Sequence, residues 1–488
     1  MALYRAGQVR ELDRIAIQEM GIPGFELMTR AGRAAFEALR RRWPEAERVV
    51  VLCGGGNNGG DGYIVASQAR AAGLSVEVMT PSHLREPRGD ALTAQERWRG
   101  GGGVVKIFDR SVLDSPAIVV DGLLGTGLDK PVQGEYAAII DAVNASGRPV
   151  LALDIPSGLS ADTGMPLGSA VRAACTITFV GMKRGLLTAD GLDYCGELEF
   201  SSLDIPPAVY QRVAPDATRI VEKERHDALP RRARNTHKGE SGHVLVIGGE
   251  QGMGGAARMA AEAAARVGAG LVSVATRTLH ASSLNASRPE LMVHAVEKPD
   301  DLLPLLDRAT VVAVGPGLGR GEWGQRLWDE VVTCAKPLVV DADGLNLLAG
   351  KPQRQERWIL TPHPGEAARL LGCETREIQG DRFAAVRRLQ QRYGGVVVLK
   401  GAGTLVCSGA EAVGVCTDGN PGMASGGMGD VLTGVIAGLW AQGLGAGQAA
   451  RVGVHVHGRA GDLAAGEGER GLLAGDLLSR LRSLVNPA

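Results

Sequence analysis

Aromatic residues make up 4 % of this chain of 488 residues, too few for the stacking platforms on which proteins hold single-stranded nucleic acid. An excess of charge of one sign is missing as well. Lys and Arg number 53 against 54 Asp and Glu, a formal net charge of −1, so nothing attracts the chain to polyanions in general. No run of about 18 apolar residues occurs, and no membrane-spanning helix is expected. The cysteines (53, 175, 195, 334, 373, 407 and 416) are scattered, odd in number and contain no CxxC pair. That argues against a disulfide framework or a structural zinc site and for a reduced, cytoplasmic setting. Arg5 and further charges interrupt the first apolar residues, unlike a signal peptide. GxxxxGK[ST] is absent, which excludes phosphate handling of the P-loop kind.

Glycine, by contrast, is abundant: 70 of 488 residues, roughly twice the usual share. No collagen period accompanies it, so the excess belongs to loops and close helix packing. The length exceeds the roughly 250–300 residues at which single cores stop growing, so two or more domains are expected. In the first half, Val9, Leu12, Ala16 and Met20 share a helical face, and a second helix is expected from Phe25 to Arg42. Residues 48–52, 75–79, 118–121 and 150–154 then read as strands, with helices such as Asp61 to Ala72 and Tyr136 to Ala145 between them. Near-continuous apolar strands alternating with helices imply a parallel, doubly wound sheet.

Ligands bind such sheets at the carboxyl ends of the strands. Three loops there carry the polar content: Cys53–Gly62, Val120–Leu128 and Leu153–Gly158. Gly54, Gly56 and Gly59 satisfy the dinucleotide fingerprint. Two features count against that reading: Glu77 sits inside its strand, and Asn57-Asn58 bring amides that a pyrophosphate turn does not need. Lys130 is the one Lys or Arg in the loops around Asp121 and Asp154, so a bound cation is the expected counter-charge. Prolines and mixed charges near residues 212–228 mark a joint, giving expected domains 1–214 and 225–488.

Strand and helix alternate again beyond the joint, with strands expected at 243–247, 271–276, 311–315, 338–341, 358–361 and 396–400. Their ends carry Gly315–Gly319, Asp341–Asn346, Thr361–Glu366 and Lys400–Thr404. The stretch 421–434 reads Pro-Gly-Met-Ala-Ser-Gly-Gly-Met-Gly-Asp-Val-Leu-Thr-Gly. Its glycines can crowd backbone N–H groups around an anion, and Asp430 opens a helix whose positive end favours phosphate. A carboxylate there can take the proton of a hydroxyl attacking a phosphate. His455 and His457, two apart on an apolar helical run, are given no role.

The 421–434 stretch resembles the anion-hole motif of ribokinase-like kinases, in the variant of ADP/ATP-dependent NAD(P)H-hydrate dehydratases. Residues 1–210 resemble NAD(P)H-hydrate epimerase domains through Asn-Asn-Gly-Gly-Asp-Gly (57–62) and Asp-Ile-Pro-Ser-Gly (154–158). The resemblance implies two doubly wound α/β domains, a Rossmann-like sandwich and a ribokinase-like domain. In the first, it implies that Asn57, Asn58, Gly59, Gly60 and Asp61 line the nucleotide site with Gly125, Thr126, Gly127, Leu128, Asp129, Lys130 and Pro131. Asn58, Asp121 and Ser157 would help bind potassium. Asp154 would meet the nicotinamide ring and act as base, a role that Asp193 or Lys183 could share. Many relatives carry Pro where this chain has Gly55.

In the second domain the resemblance implies that Ala256, Gly317 and His363 contact the hydrate, with Asp430 as base. Lys400, Gly401, Ala402, Gly403, Thr404 and Gly429 would hold ADP or ATP. Relatives usually have a small hydroxyl residue near Glu250, and Ser425 replaces a Thr. Magnesium is an expected companion whose ligands the sequence does not fix. The implied activity is epimerisation of R and S NAD(P)HX, then dehydration of the S form to NAD(P)H with release of phosphate. NADHX and NADPHX are the expected partners of a homo-oligomer, with neither nucleic acid nor membrane. Two rivals stay open: a small-molecule kinase fused to a Rossmann-type module, and a non-catalytic nucleotide sensor.

Overall fold

The computed structural model describes residues 1–84, 86–409 and 411–486. The chain divides into two compact units, Ala2–Ala217 and Thr218–Ala488, the second with Met1. Among the described residues no helix is long and apolar enough to cross a membrane.

In the N-terminal unit the strands are β1 (Arg48–Cys53), β2 (Ser75–Thr80), β3 (Val105–Ile107), β4 (Ile118–Gly122), β5 (Val150–Leu153), β6 (Cys175–Phe179) and β7 (Glu197–Ser201). They lie in the order β3-β2-β1-β4-β5-β6-β7, all parallel. The order reverses between β1 and β4, and loops leaving adjacent strands on either side of a reversal part to form a crevice. Register places Asp121 beside Leu52 and Ala152, so its carboxylate stands at that crevice.

Two helices differ from expectation. Residues 57–60, read as loop, already belong to helix Asn57–Ala71. Gly59 permits this because a Cβ there would lie 2.0 Å from the Gly54 carbonyl oxygen. The first helix is α-helical over Ala6–Arg14 and continues as a π-turn over Ile15–Glu19. The wider turn shifts the apolar face, so Val9, Leu12 and Ala16 are buried while Met20 is 38 % exposed.

The C-terminal unit contributes β8 (His243–Ile247), β9 (Leu271–Thr276), β10 (Met292–Ala295), β11 (Val311–Val314), β12 (Leu338–Val340), β13 (Trp358–Leu360), β14 (Val396–Leu399), β15 (Thr404–Cys407) and β16 (Val413–Cys416). Their order is β16-β15-β14-β13-β12-β11-β8-β9-β10. Strands β8 to β14 run parallel, and β15 and β16 return antiparallel. Val244 to Ile247 are fully buried; truncating Leu245 to Ala would cost about 2–5 kcal/mol, lost transfer energy plus a cavity.

Several strands end one residue before the expected end. Gly315, Asp341, Thr361 and Lys400 thereby fall just beyond their strands, their N–H groups donating to the Ile247, Val314, Val340 and Pro362 carbonyls.

Helices Gly254–Arg266 and Met428–Ala441 pack through small residues. A Cβ on Gly434 would lie 1.9 Å from the Ala260 carbonyl oxygen, and one on Gly438 2.7 Å from that of Ala264. Only glycine permits so close a crossing.

Candidate active sites

The loops beyond β1 and β4 enclose a cavity of about 740 Å³ in the N-terminal unit. Asn57, Asn58, Asp61, Gly125, Thr126, Gly127, Leu128, Asp129 and Asp154 line it. Gly59 and Gly60 instead pack the helix start, against Gly54 and Met28. Lys130 and Pro131 extend the loop, exposed and away from the lining. Glu77 pairs with Arg48 and Lys106 inside the sheet, which takes it away from any ribose.

Oxygen atoms gather directly behind one wall, at the lining residues Asn58 and Leu124. Asp121 is fully buried; its Oδ1 accepts from Ser157 Oγ at 2.6 Å and its Oδ2 from the Ser157 N–H at 2.8 Å. Burial pushes its carboxyl up to about 6, with the Ser157 and Leu123 hydrogen bonds pulling the other way. Asn58 Nδ2 donates to the Leu124 carbonyl at 2.8 Å, while its Oδ1 is buried without a partner. An orphaned buried acceptor costs on the order of 1–3 kcal/mol. A hard cation ligated by oxygens would relieve it.

The other wall corrects one expectation. Asp154 takes its counter-charge from the protein: Lys183, fully buried, donates to Asp154 Oδ1, to Thr178 Oγ1 at 3.0 Å and to the Phe179 carbonyl at 2.9 Å. Asp154 also accepts from the Phe179 N–H at 3.1 Å and holds φ +63°. Val180, another lining residue, holds φ +64°. Left-handed backbone is strained for a β-branched residue and persists where the surroundings impose it. Asp193 is exposed and off the lining.

Asp13, which sequence reasoning missed, reaches this cavity from helix Ala6–Arg14. Burial pushes it up to about 6, with Lys183 opposing and Asp154 adding. Burial also raises Asp61, with the charges of Asp154 and Asp13 adding to it. No motif flags Asp13; only its helical spacing from the buried Val9 hints at an inward side.

In the C-terminal unit the strand ends converge on the start of helix Met428–Ala441. Gly427 caps it at φ +91° and Asp430 lies in its first turn. Asp341, next beyond β12, is buried; Lys400 Nζ donates to its Oδ1 at 2.7 Å and Thr433 Oγ1 to its Oδ2 at 2.9 Å. A Cβ on Gly429 would lie 3.2 Å from Lys400 Nζ and 3.4 Å from Asp341 Oδ2. Burial pushes the Asp430 carboxyl up to about 7; Asp341 adds to this, Lys400 opposes it, and Asp343 and Glu366 add less. A carboxylate of that pKa is matched to accept protons near neutrality.

His363 caps helix Pro364–Leu371: its Nδ1 accepts from the Gly365 N–H at 3.0 Å, which leaves Nε2 as the protonated nitrogen of a neutral ring. Its backbone N–H donates to Glu366 Oε2 at 2.8 Å. Gly317 meets Ala256, whose Cβ lies 3.2 Å from where its own would be. Thr404 Oγ1 closes the loop after β14 on the Gly401 carbonyl at 2.9 Å, and Ala402 and Gly403 lie within that turn. Glu250, in place of a small hydroxyl residue, pairs with Arg277 at 2.8 Å. Ser425 Oγ donates to the Leu472 carbonyl at 3.1 Å.

His457 is buried with Nε2 on the Met428 carbonyl at 2.9 Å. Burial lowers it to about 4, so it is neutral and braces the helix start. His455 packs between Asp418 and Glu222.

A family model described as NAD(P)H-hydrate dehydratase matches residues 244–483, and one described as YjeF-related protein N-terminus matches residues 24–185. The chain is 52 % identical over 487 residues to a bifunctional NAD(P)H-hydrate repair enzyme of Coxiella burnetii, covering 99 % of each chain. It is 45 % identical over 486 residues to that of Escherichia coli, covering 99 % of this chain and 94 % of that one. Among solved structures, an ADP/ATP-dependent NAD(P)H-hydrate dehydratase from Bacillus subtilis, co-crystallized with ATP/Mg2+, aligns at 30 % identity and TM-score 0.50, over 55 % of this chain and 98 % of its own. A ribokinase-like superfamily protein from Enterococcus faecalis aligns at 29 % identity and TM-score 0.52, over 55 % of this chain and 95 % of its own. With a Rossmann-ordered unit followed by a ribokinase-like one, and with relatives matched from end to end, the chain belongs to the family of bifunctional NAD(P)H-hydrate repair enzymes.

Proposed function

We infer that the chain returns hydrated nicotinamide nucleotides to NAD(P)H in two steps, one in each unit. The N-terminal unit interconverts the R and S hydrates. The C-terminal unit transfers a phosphoryl group from ADP or ATP, with magnesium, to the ring hydroxyl of the S form. Phosphate then leaves with a proton from the neighbouring carbon, which restores the ring double bond and yields NADH or NADPH with AMP or ADP.

The observation that carries this reading is Asp430, held near neutrality beside a glycine-built helix start. Asp430 takes the hydroxyl proton while the N–H groups of the turn stabilise charge on the moving phosphoryl group. Gly429 and the backbone of the loop Lys400–Thr404 hold the nucleotide; Ala256, Gly317 and His363 face the hydrate. In the N-terminal unit Asp154 is the base at the hydrated ring carbon, and Lys183 holds its carboxylate in place. Asn57, Asn58 and Asp61 contribute the nucleotide site with Gly125 to Asp129. Asn58, Asp121 and Ser157 would hold potassium, which supplies a fixed positive charge beside the loops of this site.

Incubation with mixed NADHX epimers and ADP or ATP tests the whole reading. Full recovery of NADH absorbance with matching phosphate release supports it. A phosphorylated nucleotide that accumulates would mark a kinase instead, and binding without turnover a sensor.

A further inference from the structure

Lys400 opens the loop assigned above to the nucleotide, yet its side chain turns away from that loop. Nζ lies on Asp341 Oδ1 at 2.7 Å, and Glu366 Oε2 is 3.8 Å away, beyond hydrogen-bond reach. An ammonium has three N–H donors, and among the described residues Asp341 alone takes one. Asp341 is fixed in turn by Thr433, one helical turn beyond Asp430. Gly429 gives independent support: a Cβ there would press on Lys400 Nζ at 3.2 Å and Asp341 Oδ2 at 3.4 Å. The ammonium therefore stands against the backbone turn expected to carry the phosphoryl group.

We propose that Lys400 is a catalytic residue of the dehydration, its ammonium held by the positioning residues Asp341 and Thr433 against the Gly429–Asp430 turn, where it meets the phosphoryl group in transfer. This rests on the dehydratase reading of the site. A half-buried cation aimed where charge moves acts on the transition state more than on the bound nucleotide.

The charged groups facing Asp430 are Asp341, Lys400, Asp343 and Glu366, so pH profiles report on the arrangement. Removing the Asp341 charge lets Asp430 ionise more easily; removing Lys400 makes ionisation harder.

The test uses the full chain with S-NADHX, ADP and magnesium. Lys400→Met should lower kcat about 10²–10³-fold while calorimetric ADP affinity stays within about threefold. Lys400→Arg should restore part of kcat. The acid limb of the kcat/KM profile should move to lower pH in Asp341→Asn and to higher pH in Lys400→Met, and Thr433→Val should lower kcat several-fold. Weaker ADP binding with unchanged kcat in Lys400→Met, or limbs that move the same way, would overturn the proposal. Asp430→Asn separates the two levels. Near-normal turnover there overturns the dehydratase reading and the proposal together; an inactive Asp430→Asn beside an unimpaired Lys400→Met overturns the proposal alone.

Discussion

The ammonium of Lys183, without solvent exposure, donates to Asp154, a residue held at φ +63°. Strain and a buried charge meet at one side chain, and both are expensive to keep unless the carboxylate's aim matters. Lys183→Met should lower epimerisation by about 10²-fold or more, the scale of a mispositioned base. Dehydration of pure S-hydrate should be unchanged. Equal loss of both activities would mean that Lys183 only supports folding.

Asp430 should set the pH dependence of dehydration. Its carboxyl sits near 7, so kcat/KM should fall about tenfold per unit as pH drops below that value. Asp430→Asn should keep nucleotide binding, slow turnover by about 10²–10⁴-fold and abolish the limb. Rates measured from pH 5.5 to 8.5, a window of roughly 3 units around a base of this kind, decide the matter; a flat wild-type profile would refute it.

The same residue should reduce stability. An acid whose folded pKa, about 7, lies above its ordinary 3.8 loses stability as pH rises from the lower value through the higher one. Asp430→Asn removes that penalty. Its C-terminal unit should therefore melt higher than wild type by roughly 2–4 °C at alkaline pH, with a smaller gap in acid. Scanning calorimetry at two pH values checks both sign and trend.

Potassium should matter to one activity only. Asn58→Ala deletes the orphaned Oδ1, and the epimerase should then lose both rate and dependence on the ion. Wild-type epimerisation should be faster in potassium than in a tetraalkylammonium buffer, with dehydration of S-hydrate alike in the two. Equal epimerase rates in both buffers would remove the ion from the account.

His455 should give the C-terminal unit a second pH-sensitive element. Its Nδ1 faces Asp418 and its Nε2 Glu222, both at 2.7 Å. Burial alone would depress the ring, but the two carboxylates outweigh it and raise its pKa above 6.5. A raised histidine gives its full stability below its ordinary pKa and loses it as pH rises through the folded one. Denaturant midpoints of wild type should therefore decline above about pH 6.5, the ordinary histidine value. Those of His455→Gln should decline less. Parallel curves would contradict the assignment.

Parallel strands were legible where covered faces leave mostly apolar runs: the bounds of β8 and β9 were read without error, whereas Cys175–Phe179, equally buried but interrupted by Thr176 and Thr178, was missed. Thr404–Cys407 and Val413–Cys416 were missed, since four-residue runs around polar turns give too little pattern. Edge strand Glu197–Ser201 alternates Glu, Leu, Glu and Phe and leaves Phe200 46 % exposed, so it lacks the buried-strand signal. At the sites, glycines and carboxylates beyond strand ends were readable because strand ends collect ligands. What was not readable is contact across the chain. Thr433 reaches Asp341 over a separation of 92 residues, and Asp13 enters its cavity from a helix without a motif.

The glycine crossing between helices Gly254–Arg266 and Met428–Ala441 has a consequence for how damage spreads. Helix Met428–Ala441 behaves as a rod, and its distance from its neighbour is set where Gly434 nearly touches the Ala260 carbonyl. Any side chain there must lever the rod outward, and Asp430, one turn away, moves with it. A displacement of about 1 Å can slow a reaction about 100-fold without touching the chemistry. Gly434→Ala would therefore yield an enzyme that folds, binds its nucleotide and still misses its hydroxyl. Variation at small, buried, ligand-free positions of this kind would be read as harmless from their distance to the substrate, yet it governs alignment.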